Sequence, residues 1–360
     1  MGFLLGGLTW RAELLHLLFH ARTEKVTCMQ ANGCDSYEGV VVKLDRGYPL
    51  VSLSDGRTIR CEHATSLVKR KSDRAVIGDR VEVHLPEGHE KGIIEAIHPR
   101  ATKFVRKDPT ERALPQTLAS NFDLVLIAQP AEEVNFKRLE RELVLAHETG
   151  ASVAVVLTKA DLAGESTEVH ETINEVRSLA GRDAVFVVSQ DYPASIEQVG
   201  RFIAEGNKTA VLIGRSGVGK SSLVNLLVGQ DIQATTPVRE SDGKGRHTTV
   251  SREIIALPKG GFVVDMPGVR GLGLWDAEAG IKAAFSEIEA LAQKCKFRDC
   301  SHMKEQGCAV REAVEEGLLS QMRLDSYLRL KQENDEVAEK RVEAARIRER
   351  RGHPRHRTMK

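Results

Sequence analysis

The chain has 360 residues, of which 41% are hydrophobic and 29% charged, with 52 Lys and Arg set against 51 Asp and Glu for a formal net charge of +1. That length gives room for two or three domains with a well-buried core, and the even balance excludes a chain that is basic or acidic throughout. No stretch reaches the roughly eighteen consecutive apolar residues of a membrane span, so no membrane partner is expected. Nothing marks the six cysteines as a secreted disulfide framework.

The opening run MGFLLGGLTWRAELLHLLFHAR is apolar but lacks the basic n-region and cleavage site of a signal peptide. Residues 1–23 are read as an extension with no function assigned. Between Glu24 and His98 come short alternating runs, Glu38 to Leu44, Tyr48 to Leu53, Thr58 to Glu62 and Arg80 to Leu85. Turn signals separate them at Ser54-Asp55-Gly56, Gly78-Asp79 and Pro86-Glu87-Gly88. Closely spaced strands of this kind predict a small β-barrel over 24–99. Tyr37 and Tyr48 are its only aromatics, so any contact with RNA is expected through shape and backbone rather than base stacking.

Residues 100–120, which carry KDPTERALPQTLAS, read as a linker. An α/β region follows over 121–291. It opens with a strand from Phe122 to Ala128 and a helix from Asn135 to Thr149 that ends at Gly150, and alternation continues to about Leu291.

Within that region Val153 to Leu157 reads as a buried strand ending in Thr158-Lys159-Ala160-Asp161. A carboxylate here can accept both N1–H and the exocyclic amine of guanine, and adenine offers no such pair of donors. The usual form of this loop is Asn-Lys-x-Asp, and Thr158 stands in place of the asparagine. A further strand, Ala184 to Val188, ends at Ser189 in VSQ, which suits a loop closing over the base. Next, the apolar stretch Thr209 to Ile213 leads into GRSGVGKS, Gly214 to Ser221, and then into the helix-like Leu223 to Val228. This matches G-x-x-x-x-G-K-[ST] in its required strand-loop-helix setting. The backbone of Gly214, Arg215, Ser216, Gly217, Val218 and Gly219 would cradle phosphates, with Lys220 reaching the outer ones. Ser221 would take Mg²⁺, beside Ser222.

Two more loops come after it. GRHTT, Gly245 to Thr249, lies in a polar, glycine-rich segment in which Thr248 or Thr249 could complete the Mg²⁺ shell. Strand Phe262 to Val264 then runs into Asp265-Met266-Pro267-Gly268, a D-x-x-G in which Asp265 holds magnesium through water and Gly268 senses the γ-phosphate. Val269 follows, and an apolar side chain cannot orient a water, so intrinsic hydrolysis is expected to be slow. His247 is the candidate for that catalytic task. The phosphate loop thus follows the base-reading loop in the chain, the reverse of the usual order in a GTPase, which points to circular permutation.

Cys295, Cys300, His302 and Cys308 give C-x4-C-x-H-x5-C, three thiolates and one imidazole, the composition of a closed structural Zn²⁺ site. Cys28, Cys34 and Cys61 lie far away and show no ligand spacing. The zinc module is read over 292–330, and the chain after Cys308 reads as helical from Ala309 through Arg350 with a break near Gly317 to Ser320. A charged tail covers 331–360. From Lys340 to Lys360 there are nine Lys or Arg against two Glu, +7, which leaves about −6 for the rest. The segment RIRERRGHPRHRTMK reads as a basic arm able to neutralise phosphates, or equally as a solvated helix end.

The order TKAD, VSQ, GRSGVGKSS, GRHTT, DMPG and then a cysteine-histidine cluster resembles the RsgA (YjeQ) family, the small-ribosomal-subunit-dependent GTPases of bacteria. The resemblance runs from Val26 to about Leu330 and departs at Thr158 and in both extensions. It implies an N-terminal OB-fold, a circularly permuted P-loop GTPase domain and a C-terminal zinc-binding helical module. It also implies GTP, Mg²⁺ and one structural Zn²⁺ as cofactors, a cytoplasmic monomer, and binding to the small subunit and its rRNA late in assembly. Two alternatives stand beside a ribosome-stimulated GTPase. One is a nucleotide-gated RNA-binding module with little hydrolysis, and the other a P-loop ATPase acting on RNA.

Overall fold

The computed structural model describes residues 36–45, 48–69, 74–107, 115–164, 166–231, 252–266 and 277–352. They fall into two compact units. The first is drawn from residues up to Phe104, Thr117–Asn135 and Gly150–Arg270, and the second from Val105–Gln116, Phe136–Thr149 and Gly271 onward.

The first unit begins with β1 (Ser36–Asp45), β2 (Tyr48–Leu53), β3 (Thr58–His63), the short α1 (Thr65–Lys69), β4 (Arg80–His84) and β5 (Gly92–Ile97). Their order is β1-β2-β3-β5-β4, and β4 pairs back onto β1, so the sheet closes on itself. This is the five-stranded arrangement of an OB-type barrel. Alternation drives the closure. Along β4, Val81 and Val83 point inward while Arg80, Glu82 and His84 do not. Val41, Val51, Leu53, Cys61 and Ile94 complete the interior. The register of β1 shifts between Val41 and Lys43, a bulge that re-aims the strand. Before the bulge β1 pairs with β4; beyond it, Lys43 and Leu44 pair with residues of another strand, Glu253 and Arg252.

The stretch read as a linker carries two strands, β6 (Lys103–Lys107) and β7 (Pro115–Ser120), which pair as a ribbon. From there the chain alternates through β8 (Leu124–Pro130), α2 (Phe136–Glu148), β9 (Ser152–Thr158), α3 (Ala160–Ala163), α4 (Thr167–Ala180), β10 (Ala184–Val187), α5 (Pro193–Ala204), β11 (Thr209–Ile213), α6 (Lys220–Val228), β12 (Arg252–Ala256) and β13 (Phe262–Asp265). Their sheet has the order β10-β9-β8-β11-β13-β12 and joins the barrel where β12 meets β1, eleven strands among the described residues. All neighbours are parallel except the β12–β13 pair. The continuous apolar runs LVLIA, VAVVL and TAVLI explain why β8, β9 and β11 occupy the middle, where both faces of a parallel sheet are covered. Leu126, Val156, Val199, Leu212, Leu223 and Val263 share one core. The permuted order is now a fact of topology: β11 lies at the centre although three strands of this sheet precede it in the chain.

The second unit gathers α2 with α7 (Glu278–Ala284), α8 (Ser286–Ala292), α9 (Ala309–Glu315) and α10 (Gln321–Gly352). Thus a helix expected within the 121–291 region clusters with the C-terminal helices. The approach of α2 to α7 is close. A Cβ on Gly280 would lie 2.2 Å from the Val144 carbonyl oxygen, and the Gly280 N–H donates to Glu148 at 2.7 Å. Arg323 of α10 rests on the Phe285 ring at 4.0 Å and donates to Glu287 at 2.8 Å. Arg141 of α2 donates to Glu333 at 2.7 Å. No described helix is long and apolar enough to cross a membrane.

Candidate functional site

Parallel strands end together, so β8, β9, β10, β11 and β13 deliver their following loops to one edge of the sheet, where open α/β sheets bind ligands. The loop after β11 is the glycine-rich one. Gly214 has φ of 141° and a Cβ there would meet the Ala128 carbonyl oxygen at 2.5 Å, so no other residue fits between β8 and β11 at this turn. Arg215, Ser216 and Gly217 are exposed and Val218 is buried. Gly219, left-handed, caps the N-terminus of α6, whose first turn carries Lys220, Ser221 and Ser222. The Lys220 ammonium donates to the carbonyls of Gly214 at 2.9 Å and Arg215 at 2.8 Å, so it lies across the mouth of the loop. A helix N-terminus, a ring of loop amides and a lysine together favour a polyanion.

The base-reading segment stands two strands away at the end of β9. Thr158 is 3% exposed; its hydroxyl donates to the Val218 carbonyl and lies 3.2 Å from the Gln129 carbonyl. Lys159 adopts the left-handed conformation with φ of 58° and starts α3, which carries Ala160 and Asp161. The Ala160 N–H bonds Val188 O at 3.1 Å, fixing this loop to the one after β10. There the Gln190 N–H donates to Asp161 Oδ1 at 3.2 Å, and Ser189 is held through its N–H to Ser195 Oγ at 3.1 Å. Between the two loops and the start of α6 lies a pocket lined by Thr158, Lys159, Ser189, Gln190, Gly219 and Ser222 over Ile196 and Leu223. The structure therefore brings residues of the two loops expected to read a base, Thr158, Lys159 and Ser189, to one cleft with the end of the glycine-rich loop. Sequence reading missed Gln190, although it is the last residue of VSQ, and Ile196, which pattern alone cannot distinguish from core.

Asp265 ends β13, in register with Leu212 of β11, so it stands one strand from the phosphate loop. His247, Thr248, Thr249 and Gly268 lie outside the described residues, as do Cys28, Cys34 and the basic segment after Gly352.

In the second unit Cys295, Cys300, His302 and Cys308 converge, with their four ligand atoms all within 4.8 Å of one another. Cys295 Sγ is 3.9 Å from Cys308 Sγ, and His302 Nδ1 lies 3.6 and 3.4 Å from those two sulfurs. The loop is built for this convergence. Lys296 N–H closes onto Gly307 O at 3.0 Å, and His302 itself sits at φ of 60°. Glu305 takes the Ser301 hydroxyl at 2.5 Å and backbone N–H groups of Ser301, Met303 and Lys304 at 3.0–3.1 Å. These donors hold its carboxyl down at about 2, the Ser301 hydroxyl foremost. Burial, with the nearby Lys331, lowers the His302 pKa and favours the neutral imidazole that ligates. Such a set could hold one metal ion. Cys61, by contrast, is a buried apolar thiol in the barrel, pushed up to about 12 by burial.

Comparison with known proteins gives a consistent set of likenesses. A family model described as RsgA GTPase matches residues 97–275. The chain is 41% identical over 305 residues to the small ribosomal subunit biogenesis GTPase RsgA of Streptomyces avermitilis, covering 84% of this chain and 80% of that one. To the protein of the same name from Methanosarcina acetivorans it is 35% identical over 290 residues, covering 78% and 77%. Among solved structures it is similar to YjeQ from Thermotoga maritima, with a TM-score of 0.63 and 25% identity over 83% of this chain and 98% of that one. The fold is also that of YloQ, a circularly permuted GTPase, with a TM-score of 0.62 and 24% identity over 86% and 98%.

Proposed function

This chain belongs to the RsgA GTPase family, and from that premise we propose that it binds the nearly complete small ribosomal subunit in the cytoplasm, assists its late maturation, and hydrolyses GTP with turnover stimulated by the subunit. The observation that carries the reading is the convergence of the Asp161 and Gln190 base loops with the Gly214–Ser221 phosphate loop on one cleft.

Each residue then has a task. Amides from Gly214 to Gly219 hold the phosphates, and Lys220, now on its own loop carbonyls, turns to the outer ones. Asp161 accepts from the Watson–Crick edge of guanine, and the Gln190 N–H beside it is the donor for the carbonyl of that edge. Ser221 and Asp265 would hold Mg²⁺, which would supply positive charge against the phosphates during cleavage. Thr248, Thr249 and Gly268 complete the switch contacts, and His247 positions the attacking water where Val269 cannot. A partner that completes this site accounts for the stimulated turnover.

The cysteine-histidine cluster is read as a structural zinc site. Tetrahedral Zn²⁺ with Zn–S near 2.3 Å sets its sulfurs about 3.8 Å apart, and the 3.9 Å spacing of Cys295 and Cys308 fits that edge. With four protein donors no position is open for chemistry. The OB-type barrel supports contact with structured rRNA by shape.

The test is turnover of GTP and of ATP by the purified chain, with and without small subunits, at matched magnesium and salt. Strong stimulation with GTP alone is expected. Unchanged turnover in the presence of subunits would overturn the stimulated-enzyme reading, and equal turnover of ATP would overturn the guanine assignment.

A further inference from the structure

We propose that Glu38, Glu82 and His98 form a second metal site, on the outer face of the barrel, which takes a divalent transition-metal ion of the zinc type. The site shares no residue with the cysteine-histidine cluster.

Strand register brings the three together. Glu38 of β1 stands directly opposite Glu82 of β4. Glu82 lies on the outer face because Val81 and Val83, on either side of it, fill the interior. Glu38 is outward for the same reason: its neighbour Gly39 faces in, where a Cβ would run into Val51 at 2.4 Å. Cross-strand partners have Cβ atoms about 4.5–5.5 Å apart, and like charges placed so destabilise the pair. On its other side Glu82 pairs with Ala96 of β5, and His98 follows two residues later. The His98 N–H bonds the Arg80 carbonyl at 2.9 Å, which fixes the backbone from which the imidazole reaches over this face. His98 Nε2 lies 3.1 and 3.0 Å from the two Glu38 carboxylate oxygens. Taking one ligand atom from each of the three side chains, all lie within 4.8 Å of one another.

Two facing carboxylates call for a cation, and the imidazole beside them supplies a nitrogen lone pair. A divalent ion meets both carboxylates at once and uses neutral imidazole as its third ligand. Oxygen donors alone would suit magnesium or calcium; the imidazole shifts the preference to zinc and its neighbours. Around a tetrahedral ion with Zn–N and Zn–O near 2.0–2.2 Å, adjacent donors lie about 3.3–3.6 Å apart. The His98–Glu38 separation is a few tenths of an ångström short of that edge, and the half-buried Glu82 side chain has the freedom to close the third corner. Three protein donors leave the fourth position to water or to an outside donor, unlike the four-donor cluster. The pairing of β1 with β4 is what closes the barrel, so an ion here clasps the closing seam.

The experiment uses the full chain, passed over a chelating resin so that only the closed four-donor cluster keeps its ion, then titrated with Zn²⁺ in a calorimeter without nucleotide. One further ion per chain should bind. The thermal midpoint should rise by a few degrees, because an ion held by the folded barrel alone stabilises it. Glu82→Gln removes a ligand and the like-charge contact together. It should weaken the further ion at least tenfold and abolish the zinc-dependent rise, while the metal-free midpoint stays equal or climbs. His98→Ala should weaken binding by a similar factor, since even outer partners of a metal ligand are worth about tenfold or more. Failure of the unmodified chain to take up a further ion overturns the proposal. So does a further ion that binds Glu82→Gln and His98→Ala as tightly as the unmodified chain, because it would then sit elsewhere.

Discussion

Asp79 and Arg100 form a bidentate pair at the exit of the barrel: both hydrogen bonds are 2.7 Å, and the Asp79 side chain has no exposed surface. Ser120 Oγ adds a third contact at 2.6 Å and the Val76 N–H a fourth at 2.7 Å. Asp79 precedes β4 and Ser120 ends β7, so one buried carboxylate fastens the barrel to the strand that leads into the parallel sheet. Replacing Asp79 by Ala leaves a guanidinium and two other donors without their acceptor. The expected cost is about 3 kcal/mol, in the range for a broken buried pair. Urea unfolding followed by fluorescence and circular dichroism should show a lower midpoint, with Asp79→Asn intermediate.

His63 gives the barrel a pH dependence of defined sign. Its Nε2 accepts the Ala75 N–H at 2.9 Å, and burial, reinforced by Arg74, lowers its pKa below the ordinary 6.5. A histidine with a depressed folded pKa contributes stability that is fully present above the unfolded value. That stability is lost as pH falls through 6.5 toward the folded pKa, because the unfolded chain takes up the proton first. Stability measured in urea should therefore drop between pH 7.5 and pH 5.5, and His63→Gln should flatten that drop. A slope unchanged by the substitution would assign the loss to other groups.

Gly214→Ala is expected to damage nucleotide binding more than folding. The added methyl would meet the Ala128 carbonyl at 2.5 Å in a backbone conformation closed to alanine. Strain of about 1–3 kcal/mol is enough to rearrange the loop, and GDP affinity should fall at least tenfold while the thermal midpoint moves by a few degrees. Titration of nucleotide beside a melting scan separates the two effects.

Asp161→Asn should invert base choice. The amide replaces one acceptor by a donor, which suits the C2 carbonyl of xanthine and opposes the 2-amino group of guanine. Losing a charged hydrogen bond costs about 1.5–3 kcal/mol, so GTP affinity should fall tenfold or more while XTP affinity rises. Competition binding with both nucleotides would show the crossing; parallel loss of both would mean that Asp161 only braces Gln190.

For the cysteine-histidine cluster, metal analysis should find one zinc ion per chain. Cys300→Ser or Cys308→Ser should abolish that stoichiometry and lower the protection of amides between Lys294 and Glu315 in hydrogen exchange, leaving the β8–β11 core protected. Equal protection with and without metal would deny the ion a structural role.

Strands were legible wherever the apolar pattern was strict. Tyr48–Leu53 and Thr209–Ile213 were read with their observed bounds, and the break between α9 and α10 coincides with the expected one near Gly317. β5, Gly92–Ile97, was missed because GIIEAI is too short and too mixed to announce alternation. The ribbon of β6 and β7 was hidden by two prolines and mixed charge, which signal a linker when their pairing partner is out of view. Thr158 was read as a replacement for the asparagine of the usual base-reading loop. Its partner, the Val218 carbonyl, lies sixty residues on, and only the fold shows that the hydroxyl serves the phosphate loop. The same holds for α2: its apolar face is plain in sequence, but nothing local tells that the face meets α7.

The bulged strand β1 decides how the molecule can be dissected. Past the bulge, Lys43 and Leu44 cover the outer edge of β12, and Lys43 pairs with Glu253 at 2.8 Å. A fragment beginning downstream of the barrel would strip that edge bare, directly beside the residues that follow GRHTT, and bare edges recruit other chains. Its lost response to ribosomal subunits would then report self-association as readily as a missing RNA contact. Charge reversals on the barrel surface, which keep β1 in place, are the cleaner way to ask what the barrel touches.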